Sequence, residues 1–320
     1  MNFDSFSHSK YKNNPFGGDD VVLHIPGRLY AVFDGATDAH NNTVNGVSVG
    51  RVAASTVAAE MSNLVGNDVM HERTPSILIL EKLRRSLADK FSRNKILSLP
   101  STTAAMVFEF PNCYRLLVIG DSSIRINGLT VYSKKKLIDI VSTYARVWVF
   151  KHLRDRLDLE NDKVEALVRR VSFLGLDLAA EEAVLTAENV QQIITAVVGY
   201  SGLVNDENEV AGFLKAGIQS QYIYANNAES VLGYGCLNST EFLARDAIDI
   251  YLPKSEVRMI EIFSDGYLSE PQNCTNIANW EDEFNMVENL DYHKLDMFPS
   301  IKGSTLEQFS DDRSIIILSE

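Results

Sequence analysis

Positive charge is scarce in this sequence. The 320 residues contain 30 lysines and arginines against 43 aspartates and glutamates, which gives a formal net charge of −13 at pH 7. A protein whose main partner is a nucleic acid or an anionic membrane normally carries a surplus of basic residues. The composition therefore argues against both kinds of partner. Bound divalent cations are one way to neutralise part of the excess acid.

Cysteine and long apolar runs are also scarce. The three cysteines (Cys113, Cys236 and Cys274) are widely spaced and form no CxxC pair, which argues against a disulfide framework and a cysteine-based zinc site. No apolar run is long enough for a membrane span, and the first residues lack the apolar stretch of a secretion signal. We therefore expect a cytoplasmic protein. Its oligomeric state is not indicated by the sequence.

Segments with strand character lie on both sides of a long helical stretch. Between about residues 137 and 225, apolar residues recur at the spacing of a helix. Helices are also predicted from Asn45 to Val65 and over residues 75–91. The pattern predicts strands within residues 20–33, 102–132, 230–238, 248–263 and 313–318. This order predicts one α+β domain over residues 1–320, with a helical insert at about 137–225.

Aspartates stand where these apolar strands end or begin. Asp34 ends "LYAVFD", Asp121 follows "LLVIG", and Asp265 follows "IEIFS". Asp20 precedes the strand "VVLH", and Asp311 lies just before "RSIIIL". In an antiparallel sheet the start of one strand lies beside the end of its neighbour. We therefore expect these side chains to gather at one edge of a sheet.

Carboxylates gathered in one place indicate a metal site. They repel each other unless cations neutralise them. Oxygen ligands without cysteine or clustered histidine favour hard divalent ions such as Mg²⁺, Mn²⁺ or Ca²⁺. Two such ions about 4 Å apart can activate water for in-line attack on phosphorus. A single Asp-Gly at a strand end is more often a plain turn, so the prediction depends on the recurrence of the pattern.

The ordered set of motifs resembles the metal-dependent protein phosphatase 2C family, in particular its bacterial-type members. The motifs are "YAVFDG", "TTAAMVF", "LLVIGDSS", "IFSDGYL" and "DDRSIII", and the resemblance covers about residues 9–318. It implies an αββα sandwich, in which helices flank two antiparallel sheets. It also implies a signalling hydrolase that removes phosphate from serine or threonine of a phosphorylated protein. Such a hydrolase uses two Mn²⁺ or Mg²⁺ ions, with a weaker third in bacterial and some other members.

The resemblance assigns the metal ligands position by position. Asp34 matches the family's aspartate that bridges the two metals, and Gly35 matches the glycine whose carbonyl binds one of them. Asp265 and Asp311 match the ligands of the other metal. Asp121, together with Asp265, matches the residues that help to hold a third metal.

The remaining roles concern water and phosphate. Asp20 matches the second acid of the family's Glu-Asp pair, which holds a water molecule of the metal shell, and Asp19 stands in for the Glu. Asp20 and Asp34 are therefore the implied catalytic residues. Lys10 and Lys12 are candidates for gripping the phosphate, although lysines in such a segment are more often simply solvated.

The sequence departs from the family pattern at several positions. Ala36 replaces the histidine that serves as general acid in animal-type members, with His40 as a candidate substitute. Pro15 and Phe16 stand where those members carry a phosphate-gripping arginine. Ser269 replaces an aspartate near the third metal. These departures leave open an alternative, a catalytically weak phosphatase-like scaffold that binds a partner. A phosphoanhydride or small-molecule phosphate is a third option for the substrate.

Overall fold

The computed structural model describes residues 2–36, 38, 42–94, 96 and 99–319. His40, the candidate substitute for the general acid, lies outside these residues. The chain forms two compact units. Unit 1 comprises residues 1–135, 235–286 and 311–320, and unit 2 comprises residues 136–234 and 287–310.

The secondary structure alternates between strand-rich and helix-rich stretches. The strands are β1 (Asn2–His8), β2 (Val21–Ile25), β3 (Leu29–Gly35), β4 (Thr43–Val44), β5 (Val47–Ser48), β6 (Thr102–Glu109), β7 (Cys113–Ile119), β8 (Ser123–Ile126), β9 (Thr130–Tyr132), β10 (Ile248–Pro253), β11 (Met259–Phe263) and β12 (Arg313–Ser319). The α-helices are α1 (Val49–Gly66), α2 (Ser76–Phe91), α3 (Leu137–Arg156), α4 (Asn161–Leu174), α5 (Leu176–Glu181), α6 (Ala187–Ser201), α7 (Glu207–Ala216), α8 (Leu243–Asp246) and α9 (Ile277–Leu290). Short 3₁₀ helices lie at Val204–Asp206, Ile218–Ile223 and Lys254–Glu256. No helix in the described part of the chain is long and apolar enough to cross a membrane.

Unit 1 contains two five-stranded antiparallel sheets. The first sheet has the strand order β1-β12-β11-β8-β9, and the second has the order β10-β7-β6-β3-β2. One apolar core lies between the sheets, with Tyr30 and Val32 of β3 facing Ile262 of β11 and Ile316 of β12. Because β3 is covered on both faces, it reads as a continuous apolar run rather than an alternating one.

Helices cover the outer faces of both sheets. Leu29, Ala31 and Phe33 of β3 pack against α1 and α2 in a second apolar core. On the other side, Trp280 of α9 lies against Phe263 of β11, with ring centroids 4.6 Å apart. The predicted αββα sandwich of the α+β class is therefore confirmed.

Unit 2 is built from helices α3 to α7 and residues 287–310 around its own apolar core. The core also holds an ion pair between Arg146 and Glu165, both with fully buried side chains. Glu165 additionally accepts hydrogen bonds from the Gly303 amide (2.8 Å) and from Arg169 Nε (3.1 Å). These bonds connect α4 to residues 287–310, which the sequence pattern did not associate with the helical stretch.

Two local predictions were wrong. The helix predicted from Asn45 begins only at Val49, because Asn45 and Gly46 have positive φ and form the turn of the β4–β5 hairpin. Ser48 then caps α1 by accepting a hydrogen bond from the Arg51 amide (3.2 Å). The strand predicted within residues 230–238 is a loop with one isolated bridge at Tyr234. Apart from this bridge, its β-forming residues pair with no strand among the described residues, and such residues need a partner strand to form a ladder.

Candidate metal centre

Three aspartates far apart in the sequence lie together in unit 1. One carboxylate oxygen of each of Asp34, Asp121 and Asp265 lies within 4.8 Å of those of the other two, and all three residues are partly buried. We call this group the Asp triad. Oxygens that bind one hard cation at about 2.0–2.6 Å lie at most about 5 Å apart. The donor set therefore fits one such ion.

The Asp triad draws its members from both sheets. Asp34 lies at the end of β3 in the second sheet, whereas Asp265 follows β11 in the first. Asp121 lies in the turn that carries the chain from β7 in one sheet to β8 in the other. The expectation of a single sheet edge was therefore wrong. Strand ends can be recognised in a sequence, but strand partners depend on long-range pairing.

Gly120 makes this change of sheet feasible. Its φ is +73°, and a Cβ at this position would lie 2.5 Å from Cγ2 of Thr103. A side chain would therefore be strained by the backbone conformation and would clash with β6. The next residues are held by a hydrogen bond between the hydroxyls of Thr103 and Ser122 (2.8 Å). These contacts fix the position of Asp121 relative to β6.

A buried ion pair joins β8, which begins just after Asp121, to β11, which ends just before Asp265. Arg125 of β8 and Glu261 of β11 are register partners in the first sheet, and Arg125 Nε donates to Glu261 Oε2 (2.6 Å). Trp280 Nε1 donates to the other oxygen of Glu261 (2.9 Å). Both oxygens of the fully buried Glu261 carboxylate thus have hydrogen-bond donors. The pair aligns the two strands and so positions both aspartates.

Asp20 lies next to the Asp triad and is almost completely buried. Its Oδ2 accepts a hydrogen bond from the Ser264 hydroxyl (2.7 Å), while Oδ1 has no hydrogen-bond partner among the described residues. Burial and the charges of Asp312 and Asp265 raise the pKa of Asp20 to about 8, against the lowering effect of its hydroxyl partners. A buried carboxylate oxygen without a donor needs a cation or a water molecule to satisfy it.

A second acidic group surrounds Lys10. Its Nζ lies 3.4 Å from Asp312 Oδ2, 3.7 Å from Asp19 Oδ2 and 3.9 Å from Asp311 Oδ1. We call these four residues the Lys10 cluster. Burial lowers the pKa of Lys10, but the charges of Asp311, Asp312 and Asp19 outweigh burial and hold the pKa above its usual value. Lys10 therefore remains charged in the folded protein.

The backbone next to Asp34 is tightly enclosed. The Thr102 hydroxyl donates to the Asp34 carbonyl (2.7 Å), and a Cβ on Gly35 would lie 2.4 Å from the carbonyl oxygen of Gly50. Only glycine leaves room for the start of α1 at this distance. Ala36, which follows, is exposed and offers no proton-donating side chain.

The structure thus separates the predicted ligands into two neighbouring groups. Asp34, Asp121 and Asp265 meet in the Asp triad, whereas Asp311 contacts Lys10. Asp20 is electrostatically coupled to Asp265 and Asp312, one member of each group. The sequence reasoning missed the part played by Asp312, although its position beside Asp311 was a visible signal.

Comparisons with known proteins identify the fold. No family model matches the sequence, and no curated protein matches it. The structure is similar to that of the serine/threonine phosphatase Stp1 from Staphylococcus aureus, with a TM-score of 0.51 and 10% identity over 100% of this chain and 95% of that chain. The serine/threonine phosphatase PstP/Ppp from Mycobacterium tuberculosis has a TM-score of 0.43 and 14% identity over 99% and 97% of the two chains. PppA from Pseudomonas aeruginosa has a TM-score of 0.43 and 10% identity over 100% and 97%. The likeness to Stp1 shows a fold of the phosphatase 2C type.

Proposed function

We propose that this protein is a metal-dependent phosphatase that hydrolyses phosphoserine or phosphothreonine in a protein substrate. The observation that carries the proposal is the meeting of Asp34, Asp121 and Asp265 from three separate parts of the chain. Carboxylates this close repel each other, so folding them together without a cation is costly. The fold that positions them is also that of Stp1, which is a serine/threonine phosphatase.

The proposed chemistry divides between a cation and the protein. A divalent ion such as Mn²⁺ or Mg²⁺, when bound, supplies an activated water molecule and neutralises charge on the phosphoryl group. Asp34, Asp121 and Asp265 hold the ion, with the Gly35 carbonyl as a further ligand. Asp20 orients the attacking water through its unpaired, buried Oδ1. In a two-metal form of this proposal, Asp311 would be a ligand of the second ion. Lys12 is proposed to contact the phosphate.

Metal removal tests this proposal directly. The purified protein with Mn²⁺ should hydrolyse an aryl phosphate, and EDTA should abolish that hydrolysis until excess Mn²⁺ is added back. A phosphoserine or phosphothreonine peptide should also be a substrate, measured by phosphate release. Full activity in EDTA would contradict the metal chemistry. A protein that neither binds Mn²⁺ nor releases phosphate would instead be the phosphatase-like scaffold.

Ala36 leads to a prediction about the leaving group. An aryl oxide leaves readily without a proton, whereas a serine alkoxide needs one from a general acid. Replacing Ala36 by His should therefore raise kcat for a phosphoserine peptide by about 10-fold and leave kcat for p-nitrophenyl phosphate unchanged. The comparison of the two substrates in one preparation corrects for differences in the amount of active protein. An equal change for both substrates would show that proton donation at residue 36 is not limiting.

A further inference from the structure

The pairing of β1 with β12 places Lys10 beside the start of β12. Strands β1 and β12 are antiparallel, and His8 is the register partner of Arg313. A residue that follows β1 therefore lies beside the residues that precede β12, namely Asp311 and Asp312. The Lys10 amide donates to Asp312 Oδ1 (2.6 Å), which ties the backbone of Lys10 to the acidic group as well as its side chain.

Lys10 is enclosed rather than extended into solvent. Its side chain is 9% exposed, and its ammonium lies at similar distances from three carboxylates rather than against one of them. Asp312 is also held by the Asp19 amide (2.9 Å), and Asp19 accepts a hydrogen bond from the Ser48 hydroxyl. The carboxylates are thus fixed around the ammonium by bonds of their own. The single positive charge of Lys10 therefore balances part of the charge of three carboxylates, those of Asp19, Asp311 and Asp312.

This arrangement conflicts with a metal ion at the same place. A divalent cation would require carboxylate oxygens at about 2.0–2.6 Å, and the space between the oxygens of Asp19, Asp311 and Asp312 holds Lys10 Nζ. Binding an ion there would first require the displacement of a buried ammonium. Asp19, Asp311 and Asp312 therefore share a cation that the protein itself supplies.

We propose that Lys10 is a built-in counter-cation that takes the place of one divalent ion, so that the centre binds a single ion tightly at the Asp triad. The proposal rests on the proposed function only in taking the Asp triad as a metal site. It changes the expected metal content of the centre, and it assigns Asp311 to an ammonium instead of a metal.

The test counts bound Mn²⁺. The full-length protein and its Lys10→Met variant are titrated with Mn²⁺ by calorimetry, and bound manganese is counted by native mass spectrometry. We expect about one tightly bound Mn²⁺ per chain in the wild type and about two in Lys10→Met. In the variant, the carboxylates of Asp19, Asp311 and Asp312 no longer face an ammonium. Lys82→Met is the matched control, since Lys82 is exposed on α2, and its metal content should equal that of the wild type. Two tightly bound ions in the wild type, or no gain in Lys10→Met, would overturn the proposal.

A measurement on the wild type tests the proposal even if the Lys10→Met variant does not fold. Electron paramagnetic resonance of the wild type with one equivalent and with excess Mn²⁺ should show isolated Mn²⁺ only, whereas exchange-coupled signals of a bridged pair would refute the proposal. The outcome is separable from that of the proposed function. Hydrolysis together with a bridged Mn²⁺ pair would contradict the role of Lys10 but not the phosphatase activity. A single bound ion without hydrolysis would contradict the phosphatase activity but not the role of Lys10.

Discussion

Replacing Asp34 by Asn should abolish tight Mn²⁺ binding and lower phosphate release by at least about 100-fold. Loss of a group that merely supports a metal ligand costs about 10–100-fold, and Asp34 is proposed as a ligand itself. Asparagine keeps the shape of the side chain but removes the charge. Calorimetric titration with Mn²⁺ and hydrolysis of an aryl phosphate measure the two effects in the same preparation.

The fold of the Asp34→Asn variant should be intact. Without metal, its melting temperature should equal or exceed that of the wild type, because one of three mutually repelling carboxylates has been neutralised. Added Mn²⁺ should stabilise the wild type against heat, since it binds the folded form, and should not stabilise the variant. Asp89→Asn on the exposed face of α2 is the matched control and should behave as the wild type in every assay. Unchanged Mn²⁺ affinity in Asp34→Asn would show that the Asp triad is not the metal site.

Replacing Arg146 by Met should lower the free energy of unfolding by about 3–5 kcal/mol, the usual cost of leaving one partner of a buried ion pair without the other. Arg146 also donates to the carbonyl oxygens of Lys294 (3.0 Å), Ser300 (3.1 Å) and His293 (2.7 Å). The substitution therefore leaves Glu165 underpaired and removes the Arg146 donor from three carbonyl oxygens. Urea unfolding followed by circular dichroism measures the loss.

Two further variants make this prediction specific. Arg170→Met breaks an exposed ion pair with Glu182 in the same unit, and it should move the urea midpoint little. The double variant Arg146→Met/Glu165→Leu removes both buried charges and should be more stable than Arg146→Met alone. It should stay less stable than the wild type, because the three carbonyl oxygens still lack the Arg146 donor. If Arg146→Met and Arg170→Met unfolded at the same urea concentration, the buried pair would not be a main stabilising contact of unit 2.

The local chemistry of the candidate site could be predicted from the sequence. An apolar strand that stops on an aspartate is visible in one short segment, and the recurrence of this pattern at Asp34, Asp121 and Asp265 indicated a shared acidic centre. The αββα class was predicted on the same motifs. The Asn-Gly signal for a hairpin turn stands at Asn127-Gly128 between β8 and β9, and also at Asn45-Gly46. At Asn45-Gly46 it was overlooked because helical periodicity follows it closely.

Lys10 shows why the rest could not be predicted. In the sequence it belongs to a polar segment, where a lysine is expected to be solvated, and Asp312 lies 302 positions further along the chain. Only the pairing of β1 with β12 brings them together. Arg146 and Glu165 are a similar case, since their burial depends on residues 287–310 joining the helices of unit 2.

The sequence by itself determined which groups are available: strands that end on acids, too little positive charge to balance those acids, and glycines where the backbone turns beside them. Only the tertiary structure decided which acids lie together in the Asp triad and which surround Lys10. The reason is that repetition of apolar and polar residues sets each local element, whereas the balance of buried charge depends on distances of a few ångströms between elements that are remote in sequence.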